Sequence, residues 1–156
     1  MASGMGFFDK LRSAISPETR LVEELAEVAG RNEILVERLN RHATKCSYPN
    51  LKAGLQAIAA RESAHAKMLR AVLTERNTWP KFPEQTGHEG ANNWERLSGD
   101  LSILAAIASG LRRAAAIWEA VDPALADRLS ELADEDDACE SELRRLTLKC
   151  DPQALD

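Results

Sequence analysis

The chain has 156 residues, 44% hydrophobic and 29% charged, with a formal net charge of −5, so it has room for one domain with a substantial core and is not a disordered segment. The acid excess leaves no basic stripe to neutralise phosphates, which excludes a nucleic-acid binder, and no apolar run approaches the roughly 20 residues that cross a bilayer. Aromatic residues are only 4% while Ala and Leu are plentiful, a balance that favours tightly packed helices over sheets.

Residues 1–15 read as a leader followed by a short amphipathic helix carrying Phe7, Phe8, Leu11 and Ile15. The segment is short and holds only two basic residues, so a cap over one end of the molecule is expected rather than a membrane-surface helix. Ser16-Pro17-Glu18 is a helix start: a capping hydroxyl, a proline suited to the first turn, and an acid that complements the helix dipole. This first long helix should run to about Lys45. Its seam is Leu21, Leu25, Val28, Asn32, Leu35, Leu39 and His42, with Asn32 as the polar break and His42 half-exposed at the end.

Ser47-Tyr48-Pro49-Asn50 makes a turn, and a second helix follows from about Asn50 to Glu75 or Arg76. Residues 77–91 contain Pro80, Pro83, Gly87 and Gly90 and form the one long connection. Asn92 with Glu95 three residues later resembles a capping box and opens a third helix to about Val121. Its seam is Leu97, Leu101, Leu104, Ala108, Leu111, Ala115 and Trp118. Asp122-Pro123 starts a fourth helix that should end near Asp151-Pro152, leaving 152–156 as a tail. The expected organisation is therefore a leader over 1–15, a helical bundle over 16–151 and the tail.

The second and fourth helices carry the same stripe. Leu51, Leu55, Ile58, Glu62, His65, Leu69 and Val72 superpose on Leu125, Leu129, Leu132, Asp136, Cys139, Leu143 and Leu146, each stepping four and three residues along one helix face. The first and third seams superpose as well, Asn32 falling on Ala108. The chain reads as a duplicated helical hairpin, all-α, with short links inside each hairpin. A helix of about 25 residues is roughly 38 Å long, and about fifteen extended residues reach roughly 50 Å. The long connection can thus cross the whole bundle, giving an up-down-down-up order with the first helix parallel to the fourth. In that order Cys46 and Cys150 would lie at one end of parallel neighbours. Three widely spaced cysteines make no disulfide framework, however, so free thiols and a reducing cytoplasm are expected. No charged-then-apolar leader with a cleavage site opens the sequence, which fits that expectation.

Both stripes break polarity at the same two places, at Glu62 and His65 and at Asp136 and Cys139. Burying such groups costs several kcal/mol unless they are paired, so they should converge in a polar centre. Carboxylate and imidazole three residues apart can grip one metal ion. Iron, manganese and zinc all suit these donors, with Cys139 pulling toward zinc.

Glu-x-x-His on the second helix of a duplicated hairpin with a long crossover resembles the ferritin-like superfamily. Ser47–Leu69, with Tyr48, Glu62 and the run His65-Ala66-Lys67-Met68-Leu69, is most similar to rubrerythrin-type members. The resemblance covers about 130 residues and its specific part is the second-helix motif. It implies a four-helix bundle holding two irons, with a Glu from each of the first and third helices and Glu-x-x-His from each of the others, used to oxidise iron or reduce peroxide and dioxygen. Glu62 and His65 match that motif. Asp136 matches with a shorter reach, and Cys139 replaces the second His. The first helix has no carboxylate between Ala29 and Asn32, since Glu27 and Glu33 should point off the seam. The third has none over Ser102 to Ala108, Asp100 being the closest. The motif is degenerate, and a full di-iron pair is not expected.

Three readings of the centre stand side by side. They are an iron pair; a single Fe, Mn or Zn ion on Glu62, His65, Asp136 and either Cys139 or Asn32; and a metal-free polar layer in which His65 bridges the acids. The implied function is metal binding of oxidoreductase ancestry. The alternative is a non-catalytic, self-associating helical module, a homodimer, motivated by Val22, Val36, Ile103, Ile107 and Ile117 outside the seams. The run Glu131, Asp134, Glu135, Asp137, Glu140 and Glu142 reads as a solvated helix face. Trp79, Trp94 and Trp118 read as packing anchors. No phosphate loop, nucleophile elbow or Cys-x-x-Cys pair is present.

Overall fold

The computed structural model describes residues 17–84 and 89–153. The expected N-terminal helix with Phe7, Phe8, Leu11 and Ile15, the Ser16 cap and His88 lie outside the described residues. Within them the chain forms four helices and no strand: α1 (Pro17–Lys45), α2 (Pro49–Thr74), α3 (Asn93–Trp118) and α4 (Pro123–Thr147).

The starts are set by local chemistry. The Asn92 side chain accepts the Glu95 N–H at 2.9 Å, and Glu95 reaches back to the Ala91 N–H at 2.7 Å, a capping box displaced by one residue. Asp122 accepts the Leu125 N–H at 3.1 Å ahead of Pro123. Pro49 opens α2, where Tyr48 supplies no side-chain cap. Just beyond α2, Asn77 takes a left-handed φ of 51°, a conformation Asn tolerates better than most residues, and the Thr78 N–H closes onto the Leu73 carbonyl. The last two helices end a few residues earlier than expected, at Trp118 and Thr147.

The seams all face inward. Leu25, Leu35, Leu39, Leu55, Leu69, Leu97, Leu104, Leu111, Leu129 and Leu143 are each fully buried, and Leu21, Val72 and Leu101 are partly so. The helices pack as two hairpins, α1 with α2 and α3 with α4, joined where α1 meets α3 and α2 meets α4. Val28 lies against Gly110 while Arg38 pairs with Asp100, so α1 and α3 run antiparallel. Gly54 lies under Leu146 and Arg76 reaches Asp122, so α2 and α4 do too. Among the described residues α1 and α4 do not pack together, contrary to the expectation that they are neighbours. Gly110, where a Cβ would stand 2.7 Å from Val28 Cγ2, lets α3 approach α1 closely and take that place. Cys46 and Cys150 therefore follow helices that do not touch, and the two are not joined by a disulfide.

α3 is long and apolar enough, by length and composition, to cross a bilayer, which the sequence reading missed. Here it is the core helix, burying Leu97, Leu104, Ile107 and Leu111 and carrying the buried Asp100. The apolar positions outside the seams are also more covered than expected. Val22 and Ile107 are buried, Val36 and Ile103 are partly so, and only Ile117 is exposed. Of the three tryptophans Trp118 alone is fully buried, while Trp79 is 67% exposed.

The connection between α2 and α3 is seated on α1. The Lys81 N–H donates to the Ala26 carbonyl at 2.8 Å, and Gly30 is where the two backbones meet. A Cβ at Gly30 would stand 2.0 Å from the Lys81 carbonyl oxygen, and neither backbone can yield cheaply. Gly30→Ala should therefore cost about 1–3 kcal/mol in chemical denaturation despite Ala being the better helix former. A variant as stable as the parent would mean the crossover is not held there.

Candidate metal centre

α2 presents Glu62 and His65 one turn apart on its buried face, and α4 brings Asp136 opposite them. Exposure is 0% for Glu62, 3% for His65 and 0% for Asp136, and one ligand atom from each lies within 4.8 Å of the others. His65 Nδ1 is 2.9 Å from Asp136 Oδ1 and 3.8 Å from Glu62 Oε2. Its other nitrogen, Nε2, is 2.8 Å from Glu135 Oε2. From α1, Asn32 donates its amide to Glu62 Oε2 at 2.6 Å and is itself fully buried. The seam residues that break polarity thus meet in the middle of the bundle, as the duplicated stripe implies.

Electrostatics follow from this crowding. Burial, then the neighbouring Asp136 charge, pushes Glu62 up to about 7, against the opposing pull of His65. Burial also raises Asp136, with His65 acting the other way. For His65 burial opposes charge, but hydrogen bonds to Asp136 and Glu135 and the charge of Glu62 outweigh it, pushing the ring up to about 9. With both nitrogens on carboxylates, the ring is an imidazolium at neutral pH.

Cys139 is buried beside Glu62 but does not join the three-residue cluster. Burial and the Glu62 charge push its thiol up to about 12, so it remains protonated. A neutral thiol is a poor ligand.

Three buried acceptors at the centre, Glu62 Oε1, Asp136 Oδ2 and Asn32 Oδ1, have no hydrogen-bond donor among the described residues. Buried carboxylate oxygens are rarely left so, because each forfeits its hydration without return. Tetrahedrally placed donors about 2.1 Å from an ion stand about 3.4 Å apart, so a cluster lying within 4.8 Å must close by up to about 1.4 Å at its widest to hold one. The set of two carboxylates, an imidazole and an amide oxygen fits a single hard or intermediate divalent cation. A second ion lacks its acids. Asn32 and Ala108 occupy the core positions on α1 and α3, while Glu33 is turned to Arg70 at 2.6 Å and Glu27 to Lys81 at 3.2 Å.

Asp100, the nearest acid on α3, is committed elsewhere. It accepts from His42 Nδ1 at 2.5 Å and from Arg38 Nε at 2.7 Å, forming a second buried polar cluster between α1 and α3. His42 is fully buried, not half-exposed. The signal was in the sequence: His42 sits on the α1 seam, and a seam position in the last turn of a long helix is a core position. Glu135 was also missed. It belongs to the acidic run read as a solvated face, and its side chain is indeed 62% exposed, yet it holds His65.

Compared with known proteins, the chain matches no protein-family model and no curated protein.

Proposed function

We propose that this chain is a ferritin-like, rubrerythrin-type bundle in up-down-down-up order whose centre is reduced to one divalent-cation site. Glu62, His65 and Asp136 are its ligands, with Asn32 Oδ1 as a neutral fourth donor. The antiparallel pairings of α1 with α3 and of α2 with α4 support that order. The observation that carries the site is the set of three buried acceptors without donors. A bound iron, manganese or zinc ion would supply Lewis-acid character, and iron or manganese redox capacity as well. The chain's own residues do the rest. Glu62 and Asp136 provide the negative charge, Asn32 holds Glu62 in place, and the leucine layers around them exclude water.

One observation favours a second reading, a non-catalytic helical module with a metal-free polar core. The His65 imidazolium, bonded to carboxylates on both nitrogens, is itself a cation at the centre. Metal analysis separates the two. Protein loaded anaerobically with Fe2+, Mn2+ or Zn2+ and then desalted should retain about one ion per chain, and His65→Ala should retain none. Stoichiometry near zero in the parent protein would leave the imidazolium-centred layer as the function of these residues.

A further inference from the structure

The end of the bundle where α1 begins carries apolar side chains that the described residues leave uncovered. Trp79, Phe82, Ile117 and Val121 are exposed there by 43% to 67%. Their positions follow from the packing. Val28 lies against Gly110 and the two helices are antiparallel, so Ile117 stands about level with Leu21 and Val121 with Pro17. The connection from α2 reaches the same part of α1. Lys81 bonds the Ala26 carbonyl, the Phe82 nitrogen lies over Gly30, and Trp79 comes two residues before that bond. Pro80 and Pro83 stiffen this strap, and Pro80 is buried, so the two exposed aromatics sit on a backbone with little freedom left. Large apolar side chains grouped at one place mark an interaction surface.

The occupant that fits is the chain's own residues 7–15. Sixteen residues precede α1 and enter it at this end. Phe7, Phe8, Leu11 and Ile15 share one face of a helix. Nine helical residues measure about 13 Å, and the nine steps along α1 from Pro17 to Ala26 measure about 14 Å. Turned back at Ser16, such a helix sets Ile15 at the level of Ile117 and Val121 and brings Phe7 and Phe8 to the level of Trp79 and the strap. Charge agrees with this seat. Lys10 and Arg12 belong to the segment, while the first turns of α1 expose Glu18, Glu23 and Glu24. A membrane surface fits less well, because those acids would face anionic headgroups. We propose that residues 7–15 fold back as an amphipathic helix over this end of the bundle, with Trp79 and Phe82 as the main contacts. One element then conceals both apolar faces, and lifting it exposes both at once. The proposal does not depend on the ion site.

Hydroxyl-radical footprinting of the full chain, read by mass spectrometry, reports each aromatic separately. Trp79 and Phe82 should oxidise about tenfold more slowly in the parent than in a Phe8→Asp, Leu11→Asp double variant, as for a cover open no more than about a tenth of the time. The variant leaves every bundle residue unchanged, and Trp94, at the far end, should react equally in both. Trp79→Ala with Phe82→Ala, a change confined to exposed positions, should in turn speed oxidation of Phe7 and Phe8. The protection should be the same after about tenfold dilution, since the contact lies within one chain. Equal rates in the parent and both double variants overturn the proposal. Protection that fades on dilution assigns the surface to a second copy, and protection that appears only with phosphatidylcholine–phosphatidylglycerol vesicles assigns it to lipid. Either result overturns the proposal as well.

Discussion

Asp100→Ala is expected to cost about 3–5 kcal/mol of folding stability. Asp100 is fully buried and is the shared acceptor for His42, also fully buried, and for Arg38, whose side chain is 14% exposed. Removing it strands a guanidinium and an imidazole between α1 and α3, and breaking a buried pair from one side costs far more than the pair contributes. Asp100→Asn keeps an oxygen for one donor and should lose less. Replacing Arg38, His42 and Asp100 together by leucine should recover much of the difference, since apolar packing can substitute for the whole cluster. Urea denaturation followed by helical circular dichroism measures all three. If Asp100→Ala falls within 1 kcal/mol of the parent, the cluster contributes little to the fold.

Metal-free and metal-loaded protein should respond to pH in opposite directions. His65 is raised from 6.5 to about 9 in the folded chain. The stability it contributes is fully present below about 6.5 and is lost as pH climbs through 9. Glu62 is raised from 4.5 to about 7, so its contribution is present below 4.5 and lost as pH climbs through 7. Both slopes have the same sign, and the metal-free protein should weaken steadily from pH 5 to pH 9. The His65 part alone is of order 3 kcal/mol. A cation needs His65 neutral and Glu62 ionised, so its affinity should rise with pH, by about tenfold per unit between pH 7 and 9. Thermal melts across this range, with and without saturating Mn2+ or Zn2+, give both slopes. A metal-free melting temperature that rises toward pH 9 would contradict the placement of an imidazolium at the centre.

Much of this was legible in the sequence because helix periodicity repeats over seven positions in every element. A stripe of that length fixes which face is buried, and so fixes that Glu62, His65, Asp136 and Asn32 point inward together. Pro49, Asn92, Asp122 and Pro123 mark their helix starts by local chemistry alone. What could not be read is which helices become neighbours. Seams say which face turns in, but the choice between α3 and α4 as the partner of α1 depends on how closely backbones approach, and α3 makes that approach where Gly110 lies against Val28. The pairing of His42 with Asp100 was hidden for the same reason: the seam marks His42 as a core position, but its partner shows only once α3 is placed beside α1. Glu135 was hidden by its exposure: a solvated acid looks like any other until the ring next to it is placed.

The two polar clusters join different helices at different heights. His42 and Asp100 tie α1 to α3, while His65 and Asp136 tie α2 to α4. Sliding any helix by a turn past its neighbour would pull at least one of these pairs apart, so the alignment of all four helices is locked without help from an ion. Loading and unloading the centre is then a local exchange inside a finished scaffold, and a chelator should empty the protein without melting it.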